Sequence, residues 1–176
     1  MKEKFFFLVF FAILLASSRL IPHPPNFTPI IASALLAPLL IKDRIFGICI
    51  PLLAMFFSDI IIGFHPYQFV VYSTLLIISL LAPMKKNFIY IGTGAILSSV
   101  WFFVVTNFSV WIIWDFYPKT LEGLLLCYTL AIPFFKNTLI STILFTGILF
   151  ISSKYLSIAS KRLIFLFLRK VTFSHK

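Results

Sequence analysis

Apolar residues in this chain come in long runs separated by short polar breaks. The first run is Phe5 to Ile21, closed by Pro22-His23-Pro24-Pro25. The second runs from Thr28 to Ile41 and stops at Lys42-Asp43-Arg44, the third from Ile45 to Phe64, and the fourth from Gln68 to Ala82, before Pro83 and Lys85-Lys86. A fifth and longest run covers Phe88 to Trp114, and after a polar break at residues 115–120 the run Leu121 to Phe135 meets Lys136-Asn137. The seventh goes from Thr138 to Ser153, and a basic tail follows. A bilayer core roughly 30 Å thick takes about 20 apolar residues per helical crossing, so these runs predict membrane-spanning helices.

Composition supports that reading. The 176 residues are 61% hydrophobic and 11% charged, with a mean hydropathy of +1.07. A soluble domain is about 45–50% apolar and about 25% charged, so lipid must serve as much of the solvent. The expected fold is an all-α polytopic membrane helix bundle of about six transmembrane helices. Its domains would be a single bundle, 1–153, and a basic cytoplasmic tail, 154–176, in which Lys161 to Lys170 places an apolar strip between basic pairs, suited to an anionic inner leaflet.

The net charge of +10 would suggest nucleic acid in a soluble protein; here it sorts by side. Suppose Leu121 to Phe135 lines the outer side or forms one bent unit with its successor, leaving six crossings with both termini cytoplasmic. Lys2, Lys4, Lys42, Arg44, Lys85, Lys86, Lys154, Lys161, Arg162, Arg169, Lys170 and Lys176 then face inward, and only Arg19, Lys119 and Lys136 face outward. Cytoplasmic loops collect Lys and Arg, and a seventh crossing would move the basic tail outside. The lipid bilayer is the expected partner, with no nucleic acid. Lys2, Lys4 and Ala16-Ser17-Ser18 around an apolar core also resemble a cleavable signal peptide, whose loss would leave five crossings. Cys49 and Cys127 lie within apolar runs without CxxC spacing, which favours buried free thiols.

The six glycines form neither a Walker A loop nor a dinucleotide fingerprint, and neither HExxH nor GxSxG occurs. No catalytic residues, metal ligands or cofactors are assigned, and the chain is not expected to be an enzyme. Any pumping would draw energy from a partner or a gradient.

The outer helix ends and loops collect the polar residues suited to a ligand pocket. Asp59, among apolar neighbours in α-helical sequence, is a functional candidate with Arg19 as its expected partner; the same pair would also serve a purely structural role. His23 and Asn26 lie in a segment that prolines stiffen, which can present them to a ligand or merely stop a helix. His65 sits in the next outer loop, where a solvated turn residue is the plainer role. Asn107 and Trp111, with Trp114, share one helix face; the tryptophans suit an interfacial belt, and Asn107 suits either helix-to-helix or ligand bonding. Lys136 and Asn137 complete the candidate substrate-binding set. Ala12 and Ala16 form a small-xxx-small pattern that admits close helix approach, either within the bundle or as a docking surface.

The blocks Ser18 to Pro29 (SRLIPHPPNFTP), Phe57-Ser58-Asp59 with Gly63 and His65, Val105-Thr106-Asn107-Phe108 with Val110-Trp111, Tyr117 to Thr120, and Ile132 to Thr138 resemble a bacterial membrane family of unknown function whose members are regarded as candidate transport proteins. That family in turn is similar to the substrate-binding S components of energy-coupling factor transporters. The resemblance implies a small six-helix protein of the bacterial inner membrane, multi-pass, that binds a small molecule near the outer face and imports it with an energy-coupling transmembrane subunit carrying ATPases. It also implies docking through small residues of the first helix, where Ala12 and Ala16 stand. The alternative is a non-transporting accessory or structural membrane protein, which predicts a filled outer bundle with Asp59 paired to Arg19.

Overall fold

The structure, a computed structural model, describes the backbone of residues 2–173 and the side chains of residues 6–155. Among the described residues six helices follow one another: α1 (Lys2–Leu20), α2 (Ile30–Leu40), α3 (Arg44–Ile62), α4 (Gln68–Leu80), α5 (Phe88–Ile113) and α6 (Leu121–Phe173). The protein is an all-helical membrane bundle, the arrangement in which lipid-embedded backbone groups find their partners internally. Side chains of the terminal basic residues, Lys2, Lys4 and 161–176, lie outside the described set, although the backbone of α6 continues through Phe173.

Two of the seven apolar runs are one element. Leu121 to Phe135 and Thr138 to Ser153 form a continuous helix that carries Pro133 in its interior and Lys136-Asn137 on its surface. α6 uses more residues than α5 to cover the same depth. Cys127 lies beside Asn107 and Phe150 clusters with Ile91, so α6 passes obliquely across α5.

The helices differ in reach. α3, α5 and the stretch Leu121–Tyr155 of α6 are long and apolar enough to cross a membrane, whereas Phe6–Leu20, α2 and α4 are shorter. At 1.5 Å per residue, the 11 residues of α2 extend about 16 Å, roughly half the hydrocarbon core. The remaining depth falls to the proline-rich connection 21–29. Non-helical backbone at membrane depth is tolerated where it is buried in protein or lines a cavity, and this segment bonds to α6 and lines a cavity.

α2 is apolar on all sides and is the buried centre of the bundle; Ile30, Ile31, Ala32, Ala34, Leu35 and Leu36 are all buried, and it packs against α3, α4, α5 and α6. Gly47 permits its close contact with α3. A Cβ at Gly47 would lie 2.5 Å from the Ala37 carbonyl oxygen, so only glycine fits there without a backbone shift. Ala12 and Ala16 on α1 are likewise covered by the chain itself, at 0% and 4% exposure. Both therefore pack inside the bundle.

Caps at the loops follow from local sequence. Asp43 accepts a hydrogen bond from the Phe46 amide at the start of α3, Asn87 from Ile89 at the start of α5, and Thr120 from Gly123 at the start of α6. Gly63, at φ 106°, ends α3 and turns the chain toward His65. Cys49 and Cys127 are free, and Cys127 is buried.

Candidate functional site

At the end of the bundle that the charge pattern would place outside, a cavity of about 610 Å³ opens between the six helices and the 21–29 segment. Its size lies within the range of small-molecule sites. The polar part of its lining is Arg19, His23, Asn26, Thr28, His65, Tyr67, Thr106, Asn107 and Thr138; Phe102, Phe103, Phe134 and Phe135 supply aromatic faces. Of the residues singled out in the sequence, five meet here: Arg19, His23, Asn26, His65 and Asn107.

Arg19 ends α1 with its guanidinium directed at α3. Nη1 donates to Asp59 Oδ1 and to Ser58 Oγ, both at 2.5 Å, and to the Met55 carbonyl at 3.4 Å. The other oxygen of Asp59 accepts from the Tyr72 hydroxyl at 2.6 Å. Both carboxylate oxygens are therefore engaged, the Asp59 side chain is 1% exposed, and the three partners tie α1, α3 and α4 together. Asp59 does not line the cavity. It holds Arg19 at the wall, and the charge of the wall is compensated from behind.

The two histidines approach from different loops. His23 Nδ1 donates to the Pro24 carbonyl at 3.0 Å, leaving Nε2 for another partner. That Nε2 is buried with no hydrogen-bond partner among the described residues, and so is Nδ1 of His65. Each is a buried polar group that costs free energy until something bonds it. His65 packs on the Tyr67 ring at 4.1 Å. Burial lowers its pKa from the ordinary histidine value, the Asp59 charge partly restoring it and the Arg19 charge lowering it further, so the ring is neutral near pH 7.

Asn107 donates through Nδ2 to the Phe103 carbonyl of its own helix at 2.8 Å. Asn107 itself lines the cavity. Tyr67 stands edge-on to Trp114, closing the side of the cavity where the α3–α4 loop meets the end of α5.

Asn26 adopts φ 62°, the left-handed conformation that asparagine tolerates better than most residues. The turn it makes is held from α6: Asn137 Nδ2 donates to the Pro25 carbonyl at 3.0 Å, Ser141 Oγ donates to the Asn26 carbonyl at 3.4 Å, and Phe27 stacks edgewise on Phe145. Asn137 thus fastens the loop and does not line the cavity.

Trp111 and Lys136 also stand outside the lining. Trp111 Nε1 donates to the Pro118 carbonyl at 2.9 Å, and Lys119 Nζ donates to the carbonyls of Trp111 and Trp114, the latter at 2.6 Å. This cluster closes the α5–α6 turn. Lys136 is exposed on α6 and, like Asp59, lies outside the cavity lining. Tyr72 and Ser58, the remaining holders of the Arg19–Asp59 pair, carried no sequence signal beyond their polarity in apolar runs. Phe102, Phe103, Phe134 and Phe135 were hidden among 23 phenylalanines.

No curated protein and no solved structure matches the chain. The model of one family of unknown function, DUF6580, matches residues 1–163, nearly the whole sequence, and the chain belongs to that family.

Proposed function

We propose that this protein is a membrane substrate-capture subunit of the S-component type, which takes a small molecule from the outer face for import. The observation that carries the reading is the outer cavity, whose lining includes Asn107 and two histidines, His23 and His65, each with a buried ring nitrogen unpartnered among the described residues. A ligand in the cavity would give those nitrogens the partners that buried polar groups require. The Arg19–Asp59 pair would be present in either kind of protein and does not decide between them.

The wall favours a ligand of low net charge. Arg19 is the charged residue of the lining and Asp59 neutralises it, so binding free energy comes from hydrogen bonds to imidazole and amide groups and from stacking on phenylalanine. Translocation would require reorientation driven by a gradient or by an energy-coupling transmembrane subunit with ATPases, because the chain has no nucleotide-binding loop. The buried Ala12 and Ala16 leave such a partner to dock elsewhere.

Native mass spectrometry of the full chain, purified in mild detergent from cells grown in rich medium, tests the reading. A retained small molecule that disappears in Asn107→Ala is expected. Protein free of small-molecule adducts, together with unchanged uptake in cells lacking the protein, would assign it to the accessory class.

A further inference from the structure

A second cavity, of about 600 Å³, lies on the opposite half of the bundle between α4 and α5. Ile77, Ile78, Leu81 and Pro83 form one wall, α5 from Tyr90 to Val104 forms the other, and Leu35 of α2 forms the floor. The floor is close because Gly94 lacks a side chain: a Cβ there would lie 3.1 Å from Leu35 Cδ1. The lining is almost wholly apolar, and many of its side chains, among them Leu81, Leu97, Trp101 and Val104, are exposed on the flank of the bundle. This groove shares none of its lining residues with the outer cavity.

We propose that the groove binds one acyl chain of an anionic phospholipid, with the headgroup on Lys85 and Lys86. Its length and the charge at its end select the occupant. Tyr90 to Val104 extends about 20 Å along α5 at 1.5 Å per residue, enough to cover one leaflet of a hydrocarbon core about 30 Å thick, which is the reach of a single acyl chain.

Charge fixes the polar end. Pro83 and Tyr90 both line the groove, and the loop between them carries Lys85 and Lys86, both exposed. Arg44 closes the same end, donating to the carbonyls of Leu80 at 2.8 Å and Ala82 at 3.3 Å, so the C-terminus of α4 is already satisfied and the two lysines face the headgroup region. An anionic headgroup beside them gains Coulomb attraction that a zwitterionic one lacks. The short α4 leaves the flank of the longer α5 open for the chain.

Trp101, in the groove wall, is the reporter. In full-length Trp111→Phe/Trp114→Phe protein reconstituted in phosphatidylcholine vesicles, phosphatidylglycerol with brominated acyl chains should quench Trp101 with an apparent affinity about fivefold or more above that of brominated phosphatidylcholine. Adding Lys85→Gln/Lys86→Gln should bring that ratio to about one while both lipids still quench. Ser98→Phe, which fills the groove, should reduce quenching by both. Equal quenching by the two lipids, or a ratio that survives loss of the lysines, would overturn the proposal. Should reconstitution of a variant fail, native mass spectrometry of the wild-type chain decides: one retained phosphatidylglycerol supports the proposal, and a second polypeptide or no lipid overturns it.

Discussion

Asp59 lies 2.5 Å from the Arg19 guanidinium with 1% of its side chain exposed, and the Tyr72 hydroxyl takes its second oxygen. Removing one partner of such a pair leaves an uncompensated charge in a low-dielectric setting, which costs about 3–5 kcal/mol. Asp59→Ala should therefore lower the thermal unfolding midpoint in detergent sharply. The double variant Arg19→Met/Asp59→Leu should recover most of the loss, because neither charge then remains unpaired. A double-mutant cycle measures this directly; strictly additive losses would show that the two residues are not coupled. Tyr72→Phe should cost less, about 1.5–3 kcal/mol for one hydrogen bond to a charged group.

The proline-rich segment is held by contacts that can be removed singly. Asn26 sits at φ 62°, a conformation that costs most L residues about 1–2 kcal/mol and glycine little. Asn26→Gly should preserve the unfolding midpoint and Asn26→Ala should lower it. Asn137→Ala removes the bond to the Pro25 carbonyl. Hydrogen exchange at Asn26 and Phe27 should accelerate in that variant while α2 stays protected; unchanged exchange would mean that Ser141 and Phe145 alone hold the turn.

The membrane class, the number of helices and most of their bounds were legible because apolar runs and their charged breaks report directly on lipid burial. Phe88 to Trp114 as a run and Phe88–Ile113 as a helix differ by a single residue. The join between Leu121 to Phe135 and Thr138 to Ser153 was left open, since Lys136-Asn137 looks like a break in one dimension. On a helix those residues occupy one side, while Ala131 and Thr138 stay buried, so the helix need not end. The shortness of α2 was also hidden, because apolarity measures burial and not length along the membrane normal. At the site, Arg19 with Asp59 was readable from the cost of a lone charge. Which polar groups faced the cavity was not: Asn107 and Trp111 share a helix face in sequence, yet Trp111 turns to the Pro118 carbonyl.

Glycine positions separate close packing from mere composition. A Cβ at Gly47 would lie 2.5 Å from the Ala37 carbonyl oxygen and 2.7 Å from Pro38 Cα, whereas nothing lies within 4 Å of one at Gly92. Gly47→Ala must push the backbones of α2 and α3 apart and should destabilise by about 1–3 kcal/mol. Gly92→Ala should be neutral or stabilising by up to about 1 kcal/mol through helix propensity. Unfolding of the two variants in the same detergent checks the contrast, and equal effects would contradict the close α2–α3 approach.

His65 gives stability a pH dependence of predictable sign. Burial lowers its pKa in the folded protein, and the unfolded chain has the ordinary value near 6.5. Above that value the ring is neutral in both states and contributes no slope. Below it the unfolded chain takes up a proton that the folded chain resists, so stability falls as pH drops from 6.5 toward the lowered folded value. Thermal midpoints measured between pH 7.5 and about 5 should decline on the acid side, and His65→Gln should flatten the part of that decline which this ring causes. The outer cavity sharpens the test. A ligand that donates a hydrogen bond to Nδ1 of neutral His65 should lower the folded pKa further and bind more weakly in acid, so its retention in native mass spectrometry should fall over the same pH interval. Retention independent of pH there would remove His65 Nδ1 from the ligand contacts.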